Sequence, residues 1–379
     1  MATILGPRAL IDNALPSGVD GAYLMQFAMQ EGMTPQEVIT AAAVAIGDAN
    51  EYIGQTYGGL ITLTNRVWAR RRQGTGARGM TPLSAEYADP VGEVGEKIGH
   101  MLFLNDYKDA TAWSPEYLAR AIREDVQDDI RIKRDNWINR VEFDIFTTMF
   151  RYTEVAVGAG YSPPWARGTG LNVNYIPPQW RSNTFTSAHT HFFSTDAAAT
   201  AANTITMLET MAKSLAEHGH TGTKVAMVGD ALADLLNASN DKRVALYIPA
   251  EFRLLSGNTN APISTLAGQI EGVPGETICF VTTKGGLVQV KRHERIPDGY
   301  IWMGKSYGNL NNDNPLAIRL YPGKDFGLTV MPKRTDDFVV KLKSVVFEGT
   351  HGVNVGDPTA GAAAVIASGA SAYTAPTIS

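Results

Sequence analysis

The pattern of apolar and polar positions from Ser114 to Phe150 predicts one long helix. No glycine interrupts the stretch, and Pro115 is its only proline. Ser114 suits the N-cap and Pro115 the first helical position. In the second half, apolar residues recur every three or four positions, which places them on one helix face. That face consists of Trp137, Ile138, Val141, Ile145 and Met149, with Phe146 and Phe150 beside it.

The first half of this helix is highly charged. Ten of the sixteen residues from Arg120 to Asp135 are acidic or basic. We therefore expect the second half to lie on a core and the first half to face solvent or a neighbouring subunit. Opposite charges one turn apart predict three ion pairs. These pairs are Arg120 with Glu124, Asp129 with Lys133, and Arg131 with Asp135.

The chain before this helix predicts an arm, a helix and a projection. Residues 1–32 show little periodicity, so we expect an extended N-terminal arm that is ordered by contact with other surfaces. A capping box of Thr34 and Glu37 opens a helix over 33–53. Residues 54–97 alternate in part around a glycine-rich basic turn, which predicts a long β-hairpin. Because isolated two-stranded ribbons are marginally stable, we expect it to rest on a neighbouring subunit.

The remaining chain predicts a mixed α/β region followed by a β-rich end. Alternating helical and strand patterns occupy residues 195–335, and the whole chain therefore belongs to the α+β class. The predicted elements are a helix within Thr195–Glu217, a strand at Thr223–Val228, a helix at Gly229–Asn237, a hairpin of Thr277–Thr282 with Leu287–Lys291, and a strand at Phe338–Phe347.

Composition narrows the function classes. The 379 residues are 44% hydrophobic and 19% charged, as in globular proteins, and a net charge of -5 gives no overall nucleic-acid-binding signature. Any contact with DNA should be local. The single cysteine, Cys279, rules out an internal disulfide framework, so a reducing cytosol is expected. The sequence contains no apolar run long enough to cross a bilayer, and we expect no membrane partner.

Two motifs resemble ligand sites. The glycines from Gly74 to Gly79 fit a dinucleotide fingerprint, but Pro82 follows where that motif needs a helix, so a loop is predicted and no cofactor. The pairs His189 with His191 and His218 with His220 have the spacing by which a strand offers two imidazoles to a metal. The second pair also suits a helix end. We expect no metal site and no catalytic residue, and a metal-dependent hydrolase using a His-x-His site is the alternative.

The densest positive cluster lies within the predicted hairpin. It could contact phosphate, or pair with an acidic face of another copy, or simply be solvated. The neighbouring tryptophan favours an interface, because tryptophan and arginine are frequent interface anchors. The predicted interface residues are Arg66, Trp68, Arg70, Arg71, Arg72 and Arg78 on the basic side and Asp125, Asp128 and Asp129 on the acidic side.

The order of these elements resembles the major capsid proteins of tailed bacteriophages, whose fold is shared with encapsulins. The most specific match is the end of the chain, D-D-F-V-V-K-L-K-S-V-V-F-E and then G-D-P-T-A-G-A-A-A-V-I, which looks like the family's long peripheral strand and closing strand. The segment Arg295–Trp302 looks like its axial-domain hairpin. The resemblance implies an N-arm at 1–32, an extended loop at 54–97, a peripheral domain at 98–194 and 336–368 with spine helix 114–150, an axial domain at 195–335, and a tail at 369–379.

The resemblance also implies a function. The chain would be a non-enzymatic virion protein that assembles in the host cytoplasm into hexamers and pentamers of an icosahedral shell around double-stranded DNA. Expected partners are other copies of the chain, a portal, and a scaffold or decoration protein. The alternative within the same fold is an encapsulin-type compartment.

Some members of this family join their subunits covalently through a lysine and an asparagine beside a glutamate. Glu348 looks like that glutamate, but Lys341 stands where the asparagine would be, and residues 54–96 contain no lysine. We therefore expect a shell without this link.

Overall fold

A computed structural model describes most of the chain after residue 35. The described residues are Ile4, 35–72, 97–114, 117, 120–168, 170–173, 176–177, 180, 183–185, 189–247, 270–333 and 343–378. The predicted N-arm apart from Ile4, the tip of the predicted hairpin, and the first part of the predicted terminal strand lie outside them.

The described residues form four helices and sixteen strands. The helices are α1 (Pro35–Tyr57), α2 (Arg123–Phe150), α3 (Ala201–Glu217) and α4 (Asp230–Asn237). The first eight strands are β1 (Ile61–Thr64), β2 (Trp68–Arg72), β3 (Lys97–Met101), β4 (Asn105–Trp113), β5 (Val155–Val157), β6 (Gly160–Ser162), β7 (Phe192–Thr195) and β8 (Lys224–Val228). The others are β9 (Val244–Leu246), β10 (Glu276–Thr283), β11 (Gly286–Arg292), β12 (Tyr300–Gly304), β13 (Leu316–Arg319), β14 (Leu328–Lys333), β15 (Lys343–Val355) and β16 (Gly361–Ile366).

A five-stranded sheet is built around the long strand β15. Strands β4 and β14 pair antiparallel with its first part, and β13 pairs antiparallel with its last four residues. Strand β1 then adds to β13 in parallel. Helices α1 and α2 pack together on this sheet, so α2 is held by elements from three distant parts of the sequence.

A seven-stranded mixed sheet follows the order β7-β16-β12-β8-β11-β10-β9 and separates two hydrophobic cores. Along β8, Val225 and Met227 belong to the core shared with α2. Ala226 and Val228 belong to the core covered by α3 and α4. This alternation is typical of a strand buried on both faces, and it explains why β8 is apolar at nearly every position.

The apolar half of α2 lies on the first core, which confirms the periodicity argument. The apolar residues of this half that are at most 4% exposed are Trp137, Val141, Ile145, Phe146, Met149 and Phe150, while Ile138 is half-buried. Among the described helices, α2 included, none is long and apolar enough to span a membrane.

Helix α2 begins at Arg123 and not at Ser114. Ile122 has extended backbone angles, φ -86° and ψ 165°, and its N–H donates to the Asp125 carboxylate at 3.3 Å. Ser114 does act as a cap, since its Oγ accepts the Tyr117 N–H at 3.0 Å, but for a separate helical turn. The carboxylate three residues after Ile122 supplies a second helix start. Helix propensity is favourable across the whole stretch and does not predict this break. Capping and packing have a stronger effect than propensity on where a helix begins.

The structure differs from the predicted 54–97 hairpin at its first residues. Helix α1 continues to Tyr57, and the chain then enters β1. Tyr57, Leu60 and Ile61 are fully buried in the first core. The partial alternation around Leu60 therefore belongs to a core strand, β1, which pairs with β13. The two-stranded ribbon of β2 and β3 begins only at Trp68.

The two sheets do not follow the predicted domain boundaries. Strand β14, inside the predicted axial segment, pairs with β15 of the predicted peripheral segment. Strand β16, predicted as peripheral, lies between β7 and β12 in the seven-stranded sheet. The segment Arg295–Trp302 is also not a hairpin, because its strand β12 pairs with β16 and β8. These pairings join positions far apart in sequence, which no local pattern specifies.

Acid should destabilise the contact between α2 and the seven-stranded sheet through His293. Its ring lies 4.4 Å from that of Phe146, and burial lowers its pKa to about 4, with Arg295 and Lys291 also lowering it and Glu142 opposing them. The unfolded chain, with an ordinary histidine pKa near 6.5, therefore takes up a proton that the folded chain refuses between about pH 6.5 and 4. The stabilisation is complete above this window and is lost as pH falls through it.

For His293 alone we expect a loss of about 2 kcal/mol after allowance for partial solvent exposure. The measurement is the urea midpoint of the wild-type chain and of His293→Gln at several pH values. The difference between the two curves should shrink as pH falls. Parallel curves throughout the window would contradict the prediction.

Candidate assembly surface

Strands β2 and β3 form a two-stranded ribbon that carries an exposed tryptophan at its base. They pair antiparallel, from Trp68 opposite Met101 to Arg72 opposite Lys97. Trp68 is 51% exposed and its neighbour Val67 is 38% exposed. Leaving so large an apolar side chain in water forgoes the free energy of burying it. The base of the ribbon therefore presents an apolar surface suited to a protein partner.

The base of the ribbon is anchored to the five-stranded sheet. The buried His100 ring donates from Nε2 to the Val355 carbonyl oxygen at 3.0 Å. The Arg319 guanidinium donates to the Leu102 carbonyl oxygen at 2.6 Å. These bonds hold the backbone beside Trp68 in place. An anchor positioned in advance loses less conformational entropy when a partner binds.

The basic cluster follows this ribbon. Arg66 is exposed just before β2, and its backbone N–H donates to Thr64 Oγ1. Arg70, Arg71 and Arg72 lie in β2, where their backbones pair with β3. Their side chains, and all of Arg78, lie outside the described residues. The role of this cluster at an interface stays a prediction.

The structure gives the three predicted interface aspartates different partners. Asp125 accepts the Ile122 N–H at the start of α2, and Asp129 accepts the indole N–H of Trp113 at 2.8 Å. Both thus have a role inside the subunit. Asp128 is exposed and pairs with Arg131 at 2.7 Å. Asp125 and Asp128 are exposed, and the role of the three aspartates at an interface stays a prediction.

The ion pairs along α2 also differ from the predicted ones. Arg131 pairs with Asp128, Arg134 with Asp135, and Lys133 with Asp109 of β4 at 2.8 Å. Lys133 reaches a neighbouring strand because β4 runs beside the helix, and spacing within a helix contains no information on that contact.

Comparison with known proteins rests on structure. No family model and no curated protein matches this chain. A solved structure from Mycobacterium phage Patience matches with a TM-score of 0.58 at 17% identity, over 99% of this chain and 96% of that chain. The chain has the tailed-phage capsid fold. Two further matches are the capsid of Cyanophage P-SCSP1u, with TM-score 0.45, 8% identity and 81% and 86% coverage, and the capsid of a native GTA particle, with TM-score 0.44, 14% identity and 93% and 100% coverage.

Within this capsid fold, α2 carries an exposed apolar residue that the periodicity argument missed. Ile132 is 55% exposed in the charged half of the helix, between Arg131 and Lys133. The sequence does show this feature, as a single isoleucine on the polar face of the helix. Ile132 is therefore a further exposed apolar side chain that a partner could cover. Other large exposed apolar side chains are Val44, Tyr52, Tyr117, Ile122, Trp180, Leu246, Tyr307 and Tyr321.

The two His-x-His motifs do not act as two pairs. His189, His191 and His218 converge, with their Nε2 atoms within 3.0 Å of one another. His220 is held elsewhere by the Tyr307 hydroxyl and by Thr359 Oγ1. Sequence spacing predicted neither the convergence nor the separation of His220 from it.

Proposed function

We propose that this chain is the major capsid protein of a tailed bacteriophage, assembling into hexamers and pentamers of an icosahedral virion shell that encloses double-stranded DNA. The observation that carries the proposal is the shared fold with a phage structure along 99% of the chain. The role is structural and not catalytic. Assembly takes place in the host cytoplasm.

Exposed apolar side chains on a rigid frame support self-assembly. Trp68 and Val67 lie at the anchored base of the ribbon, and Ile132 lies on α2. A closed shell of identical chains needs every copy to carry complementary surfaces. Many modest contacts, each repeated in every subunit, then give a stable particle.

The decisive experiment is negative-stain electron microscopy and sedimentation of the purified full-length chain. The proposal expects closed shells in the megadalton range. A discrete small oligomer under conditions where the chain is folded would overturn it. That second result would favour the alternative of a metal-dependent hydrolase, for which hydrolytic activity lost on chelation would be the positive sign.

The cargo of the particles separates a virion from an encapsulin-type compartment. Nuclease-protected double-stranded DNA in particles from infected cells supports the virion, whereas a stoichiometric enzyme cargo without DNA supports the compartment. Because the chain carries a net charge of -5, contact with packaged DNA should be sparse and sensitive to salt. A portal and a scaffold or decoration protein are the further partners of this proposal.

Mature particles should not contain the lysine–asparagine crosslink. Glu348 forms an ion pair with Lys108 of the adjacent strand β4 at 3.0 Å, within its own subunit. Residues 54–96 contain no lysine to act as the donor, and Lys341 stands where the acceptor asparagine would be. On a denaturing gel, mature particles should run as monomer bands. A ladder of multimers that resists boiling in detergent and reductant would show that this is wrong.

A further inference from the structure

Three histidine side chains meet at one point beside the seven-stranded sheet. The Nε2 atoms of His189 and His218 lie 2.7 Å apart, those of His189 and His191 3.0 Å apart, and those of His191 and His218 2.9 Å apart. In the part of the chain that the structure describes, these three form the single group arranged to hold a metal ion.

The backbone around all three rings is fixed. His189 and His191 precede β7, where the His189 carbonyl accepts the Gly168 N–H and the His191 N–H donates to the Ala166 carbonyl. His218 is the C-cap of α3. The chain then turns through Gly219 at φ +90°, a conformation that glycine adopts readily. The cluster therefore joins two segments, 29 residues apart between His189 and His218, that secondary structure already places.

The surroundings of the rings determine where the protons lie. His191 Nδ1 is 2.8 Å from the Gly361 carbonyl oxygen, which can only accept. Nδ1 therefore carries the proton, and the Nε2 lone pair of His191 points into the cluster. The Phe185 ring lies 4.1 Å from the His218 ring and 5.0 Å from the His189 ring, closing one side with apolar surface.

No arrangement of protons on three neutral rings satisfies all three close contacts. If His189 or His218 carries its proton on Nε2, one hydrogen bond forms and at least one other pair of lone pairs still faces each other. If both do, two N–H groups oppose each other at 2.7 Å. A cation at the centre would satisfy all three lone pairs.

We propose that His189, His191 and His218 bind one divalent transition-metal ion, with Zn²⁺ as the expected occupant, through their Nε2 atoms. Imidazole nitrogen is a preferred ligand of zinc. Tetrahedral zinc holds its nitrogens about 3.3 Å apart, so the rings need to separate by only a few tenths of an ångström. The bond from His191 Nδ1–H to the Gly361 carbonyl is the outer contact that orients a metal-bound histidine.

The bound ion would act as a clamp. It would tie the segment entering β7 to the end of α3, on the sheet that separates the two cores. A water molecule supplies the fourth ligand, because His189 and His218 are only half-buried. The proposal departs from the expectation from sequence that the chain has no metal site, because residue spacing did not show that His218 lies beside His189 and His191.

The first test measures zinc in assembled full-length particles. Particles are treated with EDTA, exposed to excess Zn²⁺ and passed through a desalting column before elemental analysis. We expect about one zinc per chain, falling at least about tenfold in His189→Ala and in His218→Ala. His220→Gln is the matched control and should retain the metal. Equal zinc in wild type and His218→Ala, no retained zinc in wild type, or loss in His220→Gln would each overturn the proposal.

A second measurement uses only the wild-type chain, in case a histidine variant fails to fold. Titration with Co²⁺ should produce visible d–d absorption typical of a nitrogen-rich, low-coordinate site, reaching a plateau at about one equivalent and disappearing when Zn²⁺ is added. Particles exposed to Zn²⁺ should also melt at a higher temperature than the same particles in EDTA. Absence of the absorption would refute the site, whether or not the particles assemble.

Discussion

Replacing Trp137 by alanine is expected to lower the free energy of unfolding by about 3 to 5 kcal/mol. Its ring is 4% exposed and lies between α2 and the five-stranded sheet, with the Phe326 ring at 6.1 Å and the His351 ring at 5.0 Å. The indole N–H donates to Asn50 Oδ1 at 3.0 Å. Since Asn50 also bonds both backbone polar groups of Leu328, one substitution opens a cavity where α1, α2 and β14 meet.

The loss is a large share of the stability of an ordinary domain, which is about 5 to 15 kcal/mol. The measurement is the urea midpoint of the soluble chain, together with the soluble fraction after expression. Trp137→Phe keeps a ring in the space and should lose less than half as much. A Trp137→Ala chain with the wild-type midpoint would show that α2 does not depend on this contact.

Replacing Trp68 by alanine should have little effect on the stability of the subunit and a large effect on assembly. The side chain is 51% exposed, so the free energy of unfolding of the subunit should change by no more than about 0.5 kcal/mol. Assembly should suffer far more, because an interface tryptophan commonly contributes about 2 kcal/mol or more, and the loss is repeated at every contact of the shell. We expect at least a tenfold fall in sedimenting particles.

Sedimentation and urea unfolding on the same preparation separate these effects. Trp68→Phe retains an aromatic anchor and should recover much of the particle yield. If Trp68→Ala forms particles at the wild-type yield, the ribbon base is not an essential subunit contact, although the capsid proposal itself could still stand on other surfaces. If the variant fails to fold, its urea curve will show it. Comparison with Trp137→Ala, where the free energy of unfolding of the subunit itself is expected to fall, then distinguishes the two roles of tryptophan in this chain.

Local sequence pattern was enough to find several elements. The apolar face of α2 from Trp137 to Phe150 follows the helical period, and β8 and the β10–β11 hairpin begin and end within a residue or two of prediction. These features depend on neighbours three or four residues apart in a helix, or two apart in a strand, which the sequence displays directly. The order of the elements along the chain also pointed to the capsid fold that the structure shows.

Only the tertiary structure decided the rest. It showed that β1 is a core strand paired with β13, that Lys133 reaches Asp109, and that α2 starts at Arg123. It also brought His218 to His189 and His191 while giving His220 other partners. Each outcome depends on which distant segments of the chain pack together around the two cores. The spacing of residues along the chain does not show which segments those are.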